Sequence, residues 1–341
     1  MRKPTIKDVA ILAKVSIATV SRVVNKQSGV RPKTEERILK AIAQLSYIPN
    51  ALARSMIRKQ TNTIGVIIPD INNPFFPLLV LGIEQQARKK GYFTMLCNSN
   101  ESPEIESELI QVLLERSVDG LIITTADEYG HQLQPVIERK IPVVAVDRQI
   151  KNFEVDTVLI GNVDGAYQAT RHLILQGHTK IAIIRGPQKT TPGYERFVGF
   201  QRALEEYNID MVEGYIMEGD FKEQSGYEST KRLYSLKEPP TAIFTSNNLM
   251  TLGCLKALTE IDWVLGEQVG LIGFDDLDFA EFVNPPLTVV SRPMRQLGEA
   301  AFDLLYAQMT NQGDRVKRHY VLSPELKIRQ SCFLKSPDQQ K

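Results

Sequence analysis

Ser16, Thr19, Ser21, Arg22 and Asn25 all carry hydrogen-bonding side chains and lie within one stretch, SIATVSRVVN, that opens on small residues. Wound as a helix, this stretch puts Ile17, Ala18, Ser21 and Arg22 on one face and turns Val20, Val23 and Val24 inward. Such a face can read a duplex. Ser16, Thr19, Ser21 and Asn25 can bond phosphate oxygens and set register, and Arg22 is long enough for a bidentate contact with guanine. Ile17 and Ala18 can offer only apolar contact, for example to a thymine methyl group.

Two further helices must hold that face in place. Thr5, counted with the DNA-facing residues, caps the first with Asp8 three residues on, and Val9, Ala10 and Ala13 fall on one side of it. Lys14-Val15 makes the turn and Ser16 caps the second helix. A third follows Pro32, with Ile38, Ile42 and Leu45 at helical spacing closing a small core. Two helices joined by a short turn, the second opening on small residues, form the helix-turn-helix pattern. Charge agrees: residues 1–61 hold 13 Lys+Arg and 3 Asp+Glu, a net of +10, whereas the remaining 280 hold 28 and 37, a net of −9. A merely solvated pair of short helices is the competing explanation. The conjunction of basic charge, caps and small residues at a helix N-terminus favours DNA.

From Thr61 onward the pattern changes. Apolar runs at Ile64–Ile68, Phe93–Cys97, Leu121–Thr124, Val143–Val146, Ile181–Ile184, Ala242–Thr245, Val269–Ile272 and Thr288–Val290 alternate with helical stretches such as Leu78–Lys90, Glu104–Glu115 and Gly165–Leu175. Short continuous strands between helices predict parallel sheets covered on both faces, and a segment of this length exceeds one typical core. Ligands in such sheets bind at the carboxyl ends of the strands. The residues there are Asn73, Phe75 and Phe76 after the first strand, Asp147 and Arg148 after the fourth, then Arg196, Phe221, Asn247 and Asp275 in the second half. Each sugar hydroxyl is both donor and acceptor, so carboxylates, amides and guanidinia around aromatic faces suit a polyol. Taken singly, the two Phe equally fit a core, Asp147-Arg148 a surface ion pair, and the others caps or loop polars.

Catalysis finds no support in the motifs. GxGxxG after the first strand, GxxxxGK[ST], GxSxG and HExxH are all missing, the four His are scattered, and Cys97, Cys254 and Cys332 have neither metal spacing nor even pairing. The expectation is a non-enzyme with no metal and no cofactor. Unpaired cysteines, no signal peptide ahead of residue 5 and no apolar stretch of bilayer length predict a cytoplasmic protein.

The stretch IKDVA…VSIATVSRVVN…VRPKTEERILKAIAQLSYIPNALARSM resembles the headpiece of the lac/galactose repressor (LacI/GalR) family, and the likeness runs to near the C-terminus. That resemblance implies an all-α helix-turn-helix headpiece followed by an α/β core of periplasmic-binding-protein type with two parallel-sheet subdomains. The implied boundaries are 1–46 for the headpiece, 47–61 for the hinge, 62–161 with 292–323 for one subdomain and 162–291 with 324–332 for the other. Residues 333–341 form a tail without heptads, so a dimer is expected rather than a zipper-built tetramer. Asn50–Arg58 matches a hinge that turns helical on the operator; Asn50, Ala53 and Arg54 line the minor groove, and Met56 stands where Leu is the usual wedge.

The same resemblance makes Asn73, Phe75 and Phe76 a sugar-stacking loop like that of ribose-binding proteins. It makes Asp147 and Arg148 a hydroxyl-binding pair, Arg196 the cleft arginine, Asn247 an amide ligand, Asp275 an acceptor and Phe221 a ring platform. Arg292 opens the crossing that follows the run Thr288–Val290, where related pockets often carry Gln. With Arg148 and Arg196 it suggests an anionic effector, a sugar acid or sugar phosphate; the alternative is that Arg292 pairs with Asp275 or Asp147 around a neutral sugar.

The function these features imply is a DNA-binding transcriptional regulator, a repressor of carbohydrate or sugar-acid genes. Its implied partners are a pseudo-palindromic duplex operator, a small-molecule effector and a second copy of the chain. The alternatives are a catabolite-control-type regulator with a protein co-regulator, a transport binding protein and a Rossmann-type enzyme. A transport protein predicts an export signal and the enzyme predicts a glycine-rich phosphate turn; neither is present.

Overall fold

The computed structural model describes residues 4–25, 28–47, 60–276, 280–310 and 316–332. The chain divides into two units, Met1–Thr61 and Asn62–Lys341. In the first, α1 (Ile6–Leu12), α2 (Ile17–Val24) and α3 (Pro32–Gln44) enclose a small core of Val9, Ala10, Ala13, Val20, Val23, Ile38 and Ala41. The local reasons are legible. Thr5 donates its backbone N–H and its hydroxyl to Asp8, both at 2.7 Å, and Ser16 Oγ accepts from the Thr19 N–H at 3.2 Å. Lys14 takes φ 51 to make the tight turn between α1 and α2. Val24, expected to point inward with Val20 and Val23, lies only half-buried at the edge of the core. Hinge residues Asn50, Ala53, Arg54 and Met56 lie outside the described residues.

The second unit holds two sheets of six strands. The first runs β11 (His319–Leu322), β5 (Asp156–Ile160), β4 (Val143–Val146), β3 (Gly120–Ile123), β1 (Thr63–Ile68), β2 (Phe93–Asn98), all parallel. The second runs β12 (Glu325–Lys327), β10 (Thr288–Ser291), β9 (Gly270–Phe274), β8 (Ala242–Thr245), β6 (Ile181–Arg185), β7 (Ile216–Glu218). Here β12 is antiparallel to β10, an edge that the purely parallel expectation did not include. The central strands are buried on both faces, which is why their apolar runs do not alternate.

The helices of this unit, in chain order, are α4 (Phe75–Lys89), α5 (Pro103–Glu115), α6 (Gln134–Glu138), α7 (Asn162–Leu175), α8 (Thr191–Glu206), α9 (Glu223–Tyr234), α10 (Asn248–Glu260) and α11 (Met294–Thr310). Glycine sets how closely some of them pack: a Cβ on Gly82 or Gly298 would run into backbone across the α4–α11 contact, and one on Gly253 into the backbone of α9. The chain passes from the first sheet to the second at Gly161, returns at Arg292 between β10 and α11, and passes again between β11 and β12. Two core clusters back each sheet. No helix among the described residues is long and apolar enough to cross a membrane.

Candidate functional site

On the headpiece, α2 presents Ile17, Ala18 and Arg22 to solvent, with Ser21 half-buried beside them. Asn25, the residue that ends α2, donates its amide to Ser21 Oγ at 3.2 Å, which leaves the Ser21 hydroxyl proton available to a phosphate oxygen. Ser16 and Thr19 share a 2.8 Å contact between their hydroxyls, at the N-terminus of the same helix. Thr5 serves first as a cap, since its own proton goes to Asp8.

In the second unit, all ten cleft residues named from the sequence line one cavity between the two sheets. Nearly all follow the carboxyl ends of parallel strands, and most of their side chains are buried there. Phe75 and Phe76 form the first turn of α4 rather than a loop and meet edge to face at 4.8 Å. They serve both roles weighed for them: they are buried core residues and they also line the cavity. Phe221 adopts φ 66 and fits only because Gly186, against its ring, carries no side chain.

The centre of the cavity is a buried triad. Arg292 Nη1 donates to Asp147 Oδ1 at 2.7 Å and its Nε donates to Asp275 Oδ1. Asp147 ends β4 with φ 66 and its N–H bonds Val158 O at 2.9 Å; Asp275 ends β9 with φ 77 and its N–H bonds Val290 O at 2.8 Å. The two carboxylates thus occupy matching positions in the two sheets, joined by one guanidinium that lies 3.8 Å over the Phe75 ring. Burial works against the Arg292 charge, but Asp275 and Asp147 more than offset it and raise its pKa. Both carboxylates take these bonds through Oδ1.

Arg196 rises from α8 and lies 3.8 Å over Phe274. Its Nε donates to Asn162 Oδ1 at 2.9 Å and its Nη1 to Ser246 O at 2.6 Å. Burial, with repulsion from Arg292, brings its pKa down to about 9, so it stays charged at neutral pH. Arg148 is clasped by Glu101, Nη1 at 2.8 Å and Nη2 at 2.7 Å. Arg292 thus pairs with both Asp275 and Asp147, the arrangement weighed in the sequence against an anion-binding role. Each of the three already has a carboxylate or carbonyl partner, and the lining carries five carboxylates (Asp70, Glu101, Asp147, Asp220, Asp275) against four cations (Arg148, Arg196, Lys222, Arg292).

Sequence reasoning missed Glu101, Asp220 and Lys222 in the lining and Asn162 behind it. Glu101 follows β2, so its strand end was a usable signal. Asp220 and Lys222 follow β7, a three-residue strand too short to show as an apolar run. Asn162 opens α7 and bridges Arg196 to Glu195, donating to Glu195 Oε2 at 2.9 Å. Its role follows only from three-dimensional proximity. The subdomains also touch beside the cavity: Asn248 Nδ2 donates to Asn73 Oδ1 at 2.8 Å, Gln149 N–H to Thr191 Oγ1 at 3.1 Å, and the Thr191 N–H to the buried Glu128 carboxylate.

These features can be set beside known proteins. Residues 61–330 match the family described as periplasmic binding proteins and sugar binding domain of the LacI family, and residues 5–50 match bacterial regulatory proteins of the lacI family. The HTH-type transcriptional repressor PurR of Vibrio vulnificus (strain CMCP6) is 35% identical over 327 residues, covering 95% of this chain and 97% of the relative. Among solved structures, the lac repressor dimer bound to operator and the anti-inducer ONPF matches with a TM-score of 0.87 and 29% identity, over 97% of this chain and all of the other. A complex of the transcriptional regulator CelR with cellobiose matches with a TM-score of 0.73 and 31% identity, covering 96% and 99%. A basic helix-turn-helix unit, a two-sheet core with a polar cleft and near full-length similarity to repressors converge on one assignment: the chain belongs to the lac repressor family of DNA-binding transcriptional regulators.

Proposed function

We propose that this regulator works as a homodimer on a pseudo-palindromic operator and is controlled by a neutral sugar held in the inter-subdomain cleft. The observation that carries the effector class is the Asp147–Arg292–Asp275 triad. One guanidinium serves two carboxylates through their Oδ1 atoms, so the triad keeps an excess of negative charge, which disfavours an anion and suits a hydroxyl donor. Arg196 and Asn247 supply donors, and Phe75 and Phe221 supply apolar faces, so adjacent hydroxyls find paired partners without bringing a charge of their own. The cellobiose bound in one structural relative agrees with this chemistry.

On the headpiece, Ser16, Thr19, Ser21 and Asn25 fix register on phosphates and Arg22 reads a base; Asn50, Ala53, Arg54 and Met56 engage the minor groove. Ligand in the cleft acts by changing the spacing of two headpieces that must reach half-sites one helical turn apart. Dimer contacts run along the exposed side of α4, where Leu78 and Leu81 face solvent.

A calorimetric screen tests the effector class. Neutral pentoses, hexoses and disaccharides are titrated beside their aldonates and phosphate esters. At least one neutral saccharide is expected to bind with a Kd on the order of micromolar, about −8 kcal/mol, and its acid counterparts are expected not to bind. Binding confined to the acids or phosphates would reverse the assignment.

A further inference from the structure

Arg148 is 3% exposed, and its guanidinium already holds an anion from its own chain. Both Glu101 oxygens lie within 2.8 Å of its Nη atoms, Nη1 also donates to Thr125 O at 2.9 Å, and Nε is buried without a partner. This end-on, two-oxygen geometry is the one by which a guanidinium takes a free carboxylate or phosphate. Glu101 is differently placed from its partner. Its side chain is 34% exposed, against 4% for that of Arg148. It sits in a left-handed pair with Asn100 (φ 58 and 53), fixed by bonds from Glu101 N–H to Pro69 O and from Ser102 N–H to Ser99 O, both 3.0 Å. The backbone is pinned, so only the side chain can swing.

We infer that Glu101 sets the cleft's selectivity against anions: its carboxylate occupies the Arg148 fork, so neutral ligands enter and carboxylates or phosphates are turned away. The inference rests on reading the cleft as the effector site and supplies the residue that enforces its charge preference. An incoming anion would have to displace Glu101 and then share a desolvated space with it, whereas a neutral ligand leaves the pair intact. Asp147 and Glu128 also favour the Arg148 charge, but Asp147 is bound to Arg292 and Glu128 to the Thr191 N–H. Removing the Glu101 charge therefore leaves a buried guanidinium short of a counter-ion, which an anion from solution can supply.

The test uses the full-length protein and inorganic phosphate as the probe, titrated calorimetrically at constant ionic strength into wild type, Glu101→Gln and the double variant Glu101→Gln/Arg148→Gln. The basic headpiece takes phosphate alike in all three, so the difference is what is read. Glu101→Gln should show an added site at least about tenfold tighter than any specific to wild type, and the double variant should lose it. Should Glu101→Gln fail to fold, Glu101→Ala gives the same readout. Equal phosphate isotherms for wild type and variant overturn the inference whatever the saccharide screen shows. If the variant alone takes phosphate while no neutral saccharide binds either protein, the inference stands and the neutral-effector reading falls.

Discussion

Arg292→Met is expected to destabilise the second unit by about 3–5 kcal/mol and to abolish ligand binding in the cleft. The substitution keeps most of the volume and the apolar contact with Phe75, so packing loss is small. What it removes is the shared partner of Asp147 and Asp275, which are 5% and 1% exposed and face each other across the guanidinium. Two buried carboxylates without a counter-charge cost far more than the intact triad contributes, because the wild-type arrangement itself carries a large desolvation penalty. Arg292→Lys should recover only part of the loss, since a point charge cannot bond both carboxylates through a planar fork. Urea denaturation of the three proteins checks this. A midpoint for Arg292→Met within error of wild type would show that the triad does not hold the two subdomains.

Arg22→Ala should weaken operator binding by about 1–3 kcal/mol per half-site, hence roughly 2–6 kcal/mol for a dimer, and relax preference at one base pair. Arg22 is exposed on the outer face of α2 and touches no part of the headpiece core, so the fold of the unit should not change. Ser21→Ala should behave differently. It removes a phosphate donor and the acceptor of the Asn25 amide, and so should weaken binding to operator and random DNA alike. Gel-shift titrations on both DNAs separate the two. Equal losses on operator and random sequence for Arg22→Ala would move that residue from base reading to phosphate contact.

Much of this molecule is written locally and could be read so. The headpiece helices follow from caps and periodicity within a few residues: Thr5 with Asp8, Ser16 with Thr19, Pro32 opening α3. The central strands follow from continuous apolar runs because both of their faces are covered. Of the edge strands, only Phe93–Asn98 gave such a signal. His319–Leu322 is mostly exposed and only four residues long, and Glu325–Lys327 has three residues, one of them apolar, and pairs antiparallel through its backbone. The buried strand Asp156–Ile160 opens on a carboxylate that receives the Arg318 N–H, which masks a short apolar run.

For the cleft, position after the strands brought Asp147, Arg196, Phe221, Asn247 and Asp275 into view, and family likeness gave them their roles. What sequence could not give was pairing. Whether Arg148, Arg196 and Arg292 are available to a ligand depends on Glu101, Asn162, Ser246 and two aspartates, separated from their partners by 47, 34, 50, 17 and 145 residues. No local pattern encodes that choice.

The central claim is that the cleft and the DNA-reading headpiece are energetically coupled. Coupling between two binding equilibria must be reciprocal. The decisive measurement is the Kd of the neutral saccharide for the full-length protein, alone and saturated with operator DNA, beside the operator Kd with and without saccharide. Operator is expected to change saccharide affinity by the same factor by which saccharide changes operator affinity, about 5- to 150-fold. A saccharide that binds the cleft with one affinity regardless of operator would contradict it.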